Sequence, residues 1–74
     1  MEEQDEQEEI DLMEGRVTET LPSTLFRVKL SNNKELISYL GGKMRVHKIK
    51  VLVGDKVMVQ IDPYGGKGRI IKRL

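Results

Sequence analysis

Seventy-four residues make one domain with a thin core. Such a chain buries only about 60% of the surface it exposes when unfolded, which argues against a deep enclosed active site. It has no cysteine, which excludes disulfides and thiolate metal sites, and no stretch near the roughly 18 apolar residues that span a bilayer. The net charge of +1 is unevenly spread: residues 1–14 hold eight acids and no base, whereas residues 15–74 hold thirteen bases and four acids. A basic body behind an acidic arm is the asymmetry of a polyanion binder; the plainer alternative is a solubilising tail on an ordinary basic surface.

Residues 1–9 (MEEQDEQEE) contain no apolar residue beyond the first methionine and are expected to be a disordered acidic arm, because they cannot bury enough surface to offset the entropy of ordering. The N-terminus lacks an apolar signal core, so the chain is expected to stay where it is made. Residues 10–74 read as one domain of short strands. A first strand spans about Leu12–Thr20 with Met13, Gly15 and Val17 on one face, and Gly15 suggests a bend or bulge there. Leu21-Pro22-Ser23 makes a turn into a second strand, about Thr24–Leu30. In it Phe26, Val28 and Leu30 face the core and Arg27 and Lys29 face out.

Ser31-Asn32-Asn33 is a hairpin turn, since Asn tolerates positive φ. The third strand, about Glu35–Leu40, turns Tyr39 outward. Gly41-Gly42 breaks it, and Lys43–Lys48 follows as a basic turn or short helix. Gly54-Asp55 is a tight turn before the fourth strand, about Lys56–Ile61, with Val57, Val59 and Ile61 inward. Pro63–Gly68 is a glycine-rich loop, with Tyr64 expected to be a packing residue at the strand end, and Arg69–Arg73 is the fifth strand. Five short antiparallel strands with a helical turn between the third and fourth is the plan of an all-β OB-fold barrel, with an SH3-like barrel as its rival.

Catalytic chemistry finds no support. The lone histidine, His47, lies in a basic run without a neighbouring acid, and nucleophilic catalysis needs an oriented base. Gly65-Gly66-Lys67-Gly68 lacks the spacing and the following Ser/Thr of a phosphate loop. The chain is therefore expected to be non-enzymatic and to need no cofactor or metal. Three basic segments remain: Arg27 and Lys29; Lys43, Arg45, Lys48 and Lys50; Lys67, Arg69, Lys72 and Arg73. On an OB barrel they would neutralise phosphates. With three aromatics in all, Phe26, Tyr39 and Tyr64, stacking on several successive bases is disfavoured. Recognition of folded RNA by shape and phosphates suits the composition better.

Six pieces now occur in order: Gly15-x-Val17-x-Glu19-x-Leu21-Pro22, Phe26-Arg27-Val28-x-Leu30, Gly42-Lys43-Met44-Arg45, Gly54-Asp55-Lys56-Val57, Pro63-Tyr64 and Gly68-Arg69-Ile70. Together, over about Leu12 to Arg73, they resemble bacterial-type translation initiation factor 1. The resemblance implies an OB-fold monomer that occupies the aminoacyl-tRNA site of the small ribosomal subunit and blocks premature tRNA entry. It implies that the factor assists the initiation GTPase and the fidelity factor, in the cytoplasm or, alternatively, a plastid stroma. It implies rRNA contacts from Tyr39, Lys43, Met44, Arg45, Lys48, Lys50, Lys67, Arg69 and Arg73. Tyr39 stands where many members carry His, and Lys50 where the family usually has Arg. Val46-His47 replaces a more polar pair, the Pro63–Gly68 loop is one residue short, and the acidic arm is long. RNA would repel the arm, so it is expected to point away or to contact a basic protein; alternatively it folds over the basic face as a weak screen, in which case deleting residues 1–9 should tighten RNA binding at low salt. A cold-shock-like chaperone of single-stranded RNA, and a protein-interaction module, are the competing readings.

Overall fold

The computed structural model describes residues 11–74. The acidic arm expected at residues 1–9, and Ile10, lie outside the described residues. Five strands, β1 (Asp11–Leu21), β2 (Leu25–Leu30), β3 (Glu35–Leu40), β4 (Lys56–Ile61) and β5 (Gly68–Arg73), close into a barrel in the order β1-β2-β3-β5-β4. One short helix, α1 (Gly42–Val46), sits between β3 and β4. This is the OB-fold.

The alternation of apolar residues drives closure. Val17, Phe26, Val28, Leu30, Val57, Val59 and Ile70 point inward, and Met44 and Val51 join them from the β3–β4 connection. β1 is long enough to serve two neighbours. Asp11–Arg16 pairs with β4 and Gly15–Leu21 with β2. Gly15 belongs to both ladders, and a Cβ there would fall 2.5 Å from Val28 Cγ1 and 3.0 Å from the Lys29 carbonyl. Glycine is needed for close approach, and the expected bulge is not at Gly15. The β1–β2 register slips between Val17 and Glu19, at Thr18, whose hydroxyl donates to the Arg27 carbonyl at 3.2 Å.

Two further expectations are corrected. β2 starts at Leu25, because Thr24 has φ 59° and Ser23 φ 64°, in the left-handed region that a strand cannot use. Nor are all the pairings antiparallel. β3 and β5 run parallel over Ser38↔Gly68, Tyr39↔Arg69 and Leu40↔Ile70. The reason is arithmetic: strands that alternate direction around an odd-membered ring must meet at one parallel seam. The seam is tight, with a Cβ on Gly68 lying 2.7 Å from both Leu36 Cδ2 and Val59 Cγ1. Ser38, the partner of Gly68, is fully buried and its hydroxyl has no hydrogen-bond partner.

The turns follow the sequence. Asn33 takes φ 71°, and the Asn32 side chain accepts the Lys34 N–H at 3.0 Å. Gly54 takes φ 97°, and Asp55 Oδ2 accepts the Leu52 N–H at 2.9 Å.

Candidate nucleic-acid interface

The parallel seam sets the centre of the basic face. Its register places Tyr39 of β3 beside Arg69 of β5, both with outward side chains. The Arg69 guanidinium carbon lies 5.8 Å from the centre of the Tyr39 ring, and Arg69 Nε is 3.4 Å from the Tyr39 hydroxyl. At that length the hydrogen bond is weak, so the ring face chiefly orients the guanidinium, worth about 0.5–1 kcal/mol at an exposed site. A guanidinium so held keeps donors for a phosphate or a base edge.

Two shallow grooves adjoin this pair, and a third continues from the second. The first, about 290 Å³, lies between β4 and the β4–β5 loop and is lined by Tyr39, Gln60, Asp62, Pro63, Lys67 and Arg69. The second is lined by Gly41, Gly42, Lys43, Met44, Arg69 and Ile71. The third holds Arg45, Lys48 and Lys50 around an apolar floor of Phe26, Leu40, Met44, Ile49 and Val51. Arg69 is common to the first two and Met44 to the last two, so the grooves adjoin one another across β5 and α1. Lys67, Arg69, Lys43, Arg45, Lys48 and Lys50 are brought along this path. Arg73 is anchored at its far end, where Nη1 donates to the Lys50 carbonyl at 3.0 Å and so fixes the loop that carries Lys50.

Local sequence explains α1. The Gly41-Gly42 pair ends β3, and the Gly41 N–H donates to the Ile70 carbonyl at 2.8 Å, tying the helix start to the seam. Five residues make little more than one turn, so Lys43 and Arg45 diverge to either side of it. Lys48 takes φ 54° and directs the chain back into the barrel. His47 is exposed at the helix end, its N–H donating to the Lys43 carbonyl at 3.0 Å.

Several expectations change at the level of side chains. Met44 is 2% exposed and plugs the barrel end, so its side chain serves the fold rather than an RNA surface. Tyr64, expected to pack, is 89% exposed. Asp62 Oδ1 accepts the Tyr64 N–H at 2.9 Å and the Asp62 carbonyl accepts the Gly65 N–H at 3.0 Å; this turn throws the ring off the barrel end. Arg27 faces outward as expected but meets Glu19 at 3.0 Å and Glu35 at 3.7 Å, so much of its charge is satisfied within the protein. Lys29 lies around the barrel, opposite Arg16 on β1, and Lys72 opposite Met58 on β4. Gln60 was not singled out from sequence, yet it neighbours Arg69 and lines the first groove. The alternation that turns Val57 and Val59 inward was the signal for it. Among the described residues, no three His, Cys, Asp or Glu side chains gather to hold a metal, and no helix is long and apolar enough to cross a membrane.

The family model described as translation initiation factor 1A / IF-1 matches residues 1–74. Among solved structures, translation initiation factor 1 from the Wolbachia endosymbiont strain TRS of Brugia malayi is similar with TM-score 0.77 and 42% identity, covering 100% of this chain and 88% of that one. YjeQ from Thermotoga maritima is similar with TM-score 0.72 and 26% identity over 86% of this chain, but only 23% of its own length.

Proposed function

Since the chain belongs to the translation initiation factor 1A / IF-1 family, and to its bacterial type, we propose that it occupies the aminoacyl-tRNA site of the small ribosomal subunit and blocks premature tRNA entry. Membership makes it an RNA-binding translation initiation factor that works with the small subunit. The finer reading assigns the rRNA contact to the chain of grooves across β3, β5 and α1. Lys43, Arg45, Lys48, Lys50 and Lys67 neutralise phosphates there, Arg73 steadies the Lys50 loop, and Tyr39 with Arg69 offers a flat ring and a fork of donors to an unstacked base. The factor acts as a monomer in the cytoplasm, without enzymatic turnover, and assists the initiation GTPase and the fidelity factor bound to the same subunit.

The observation that carries this reading is the Tyr39–Arg69 pair at the junction of two basic grooves, with Arg69 Cζ 5.8 Å from the ring. A ring and a guanidinium side by side suit a base and its phosphate, and the surrounding lysines supply affinity without sequence preference. The test is a chemical footprint on small-subunit rRNA, combined with competition against tRNA for the aminoacyl site. Protection at that site and displacement of tRNA are expected. A footprint elsewhere on the subunit, or equal binding to loose RNA, would overturn the assignment and favour the single-strand chaperone.

A further inference from the structure

A second basic array lies on the opposite wall of the barrel. In the strand order β1-β2-β3-β5-β4, β1 neighbours β2 and β4 and stands across from the β3–β5 seam. Arg16 on β1 is paired in register with Lys29 on β2 on one side and with Lys56 on β4 on the other. All three side chains are exposed. They make a row of three like charges on adjacent strands, and cross-strand like charges repel; Glu35 on β3, the other cross-strand neighbour of Lys29, offsets part of that repulsion at one end of the row. Among the described residues the ion pairs involve Arg27 alone, so no described carboxylate neutralises this row by direct contact. The row also edges a groove of about 160 Å³ that Ser31 and Glu14 help to line. Arg16 is not loose, since its Nη1 donates to the Gly54 carbonyl at 2.8 Å, which leaves its remaining N–H groups directed by the turn.

We propose that Lys29, Arg16 and Lys56 form a second phosphate-binding site, which takes a separate segment of RNA backbone while the seam face holds the first. An anion on the row relieves the repulsion among Lys29, Arg16 and Lys56 that Glu35 and Glu14 offset only in part. The row follows one line across three strands, which suits a run of backbone phosphates better than a single base, and no aromatic lines the groove for stacking. Glu14 opposes the ligand from within the groove, so the site is tuned to bind weakly and to add to the first rather than replace it. The protein would then bridge two RNA segments, one on each side of the barrel.

The experiment uses the full chain and a short RNA hairpin carrying either of two dyes. The wild-type protein should bring two hairpins together at low salt, read as energy transfer. The Arg16→Gln/Lys29→Gln/Lys56→Gln variant should abolish that transfer while retaining one bound hairpin. Three phosphate contacts correspond to a salt slope of roughly 2–3, so a fourfold rise in salt should weaken wild-type bridging roughly twenty- to fortyfold more than it weakens the remaining single-site binding. Glu14→Gln alone should strengthen bridging. Unchanged bridging in the triple variant overturns the proposal. So does an effect of the triple substitution that appears only after residues 2–9 are deleted, because that would assign the row to the chain's own acids. Failure of Arg45→Ala to weaken small-subunit binding bears on the seam face and leaves this site standing.

Discussion

Ser38→Ala should stabilise the protein, and the size of the gain follows from the parallel seam. The Ser38 hydroxyl is buried with no hydrogen-bond partner, at the point where β3 meets Gly68. Leaving a hydroxyl unsatisfied costs about 1–3 kcal/mol. Alanine removes the oxygen and keeps the β-carbon, so the void is at most about one water in size, near 10–15 Å³. At about 24 cal/mol per Å³ that void costs roughly 0.3 kcal/mol. The net expectation is a gain of about 0.7–2.7 kcal/mol, which equilibrium urea unfolding resolves as a higher midpoint at constant slope. RNA binding should be unchanged, because Tyr39 and Arg69 keep their register. A loss of stability in Ser38→Ala would show that the hydroxyl is satisfied in solution. Gly68→Ala is the opposite perturbation at the same place. Its Cβ would sit 2.7 Å from Leu36 Cδ2 and Val59 Cγ1, so overpacking should cost about 1–3 kcal/mol and loosen RNA binding with it.

Arg45→Ala should weaken small-subunit binding by about 1–3 kcal/mol in a sedimentation or filter assay without altering the melting curve; wild-type affinity would remove the third groove from the interface. Phe26→Ala should cost about 3–5 kcal/mol by opening a core cavity, and an equally stable variant would invert the inward face assigned to β2. Tyr64→Ala should leave stability within about 0.5 kcal/mol, because the ring is 89% exposed; a larger loss would mean that the loop folds back on the barrel.

The parts of the fold legible in the sequence were those governed by period and turn chemistry. β3 and β4 begin and end where alternation and the Asn and Gly-Asp turns place them, at Glu35–Leu40 and Lys56–Ile61. What escaped depends on contacts distant in sequence. Gly15 is required by Val28 across the ladder, a constraint no local pattern carries. The parallel seam follows from closing an odd number of strands, which is a property of the whole ring. Tyr64 looks like a packing residue beside Pro63, and only the Asp62 turn shows that its ring leaves the surface. The basic segments were visible as runs, but a run does not say which side of the barrel it occupies. Arg27 is held by two acids, one on β1 and one on β3, and Met44 is drawn inward because one turn of helix must plug the barrel end.

The seam joins β3 to β5 through three residue pairs, whereas β1 meets β4 through six. It is the shortest ladder in the ring, and the proposed RNA contact straddles it. Tyr39 and Arg69 stand on its two banks, so a ligand gripping both would act as a rivet and hold the barrel shut. Amide protons along Ser38–Leu40 should accordingly exchange more slowly once RNA is bound, and whatever loosens this join should lower affinity without touching a single charged residue.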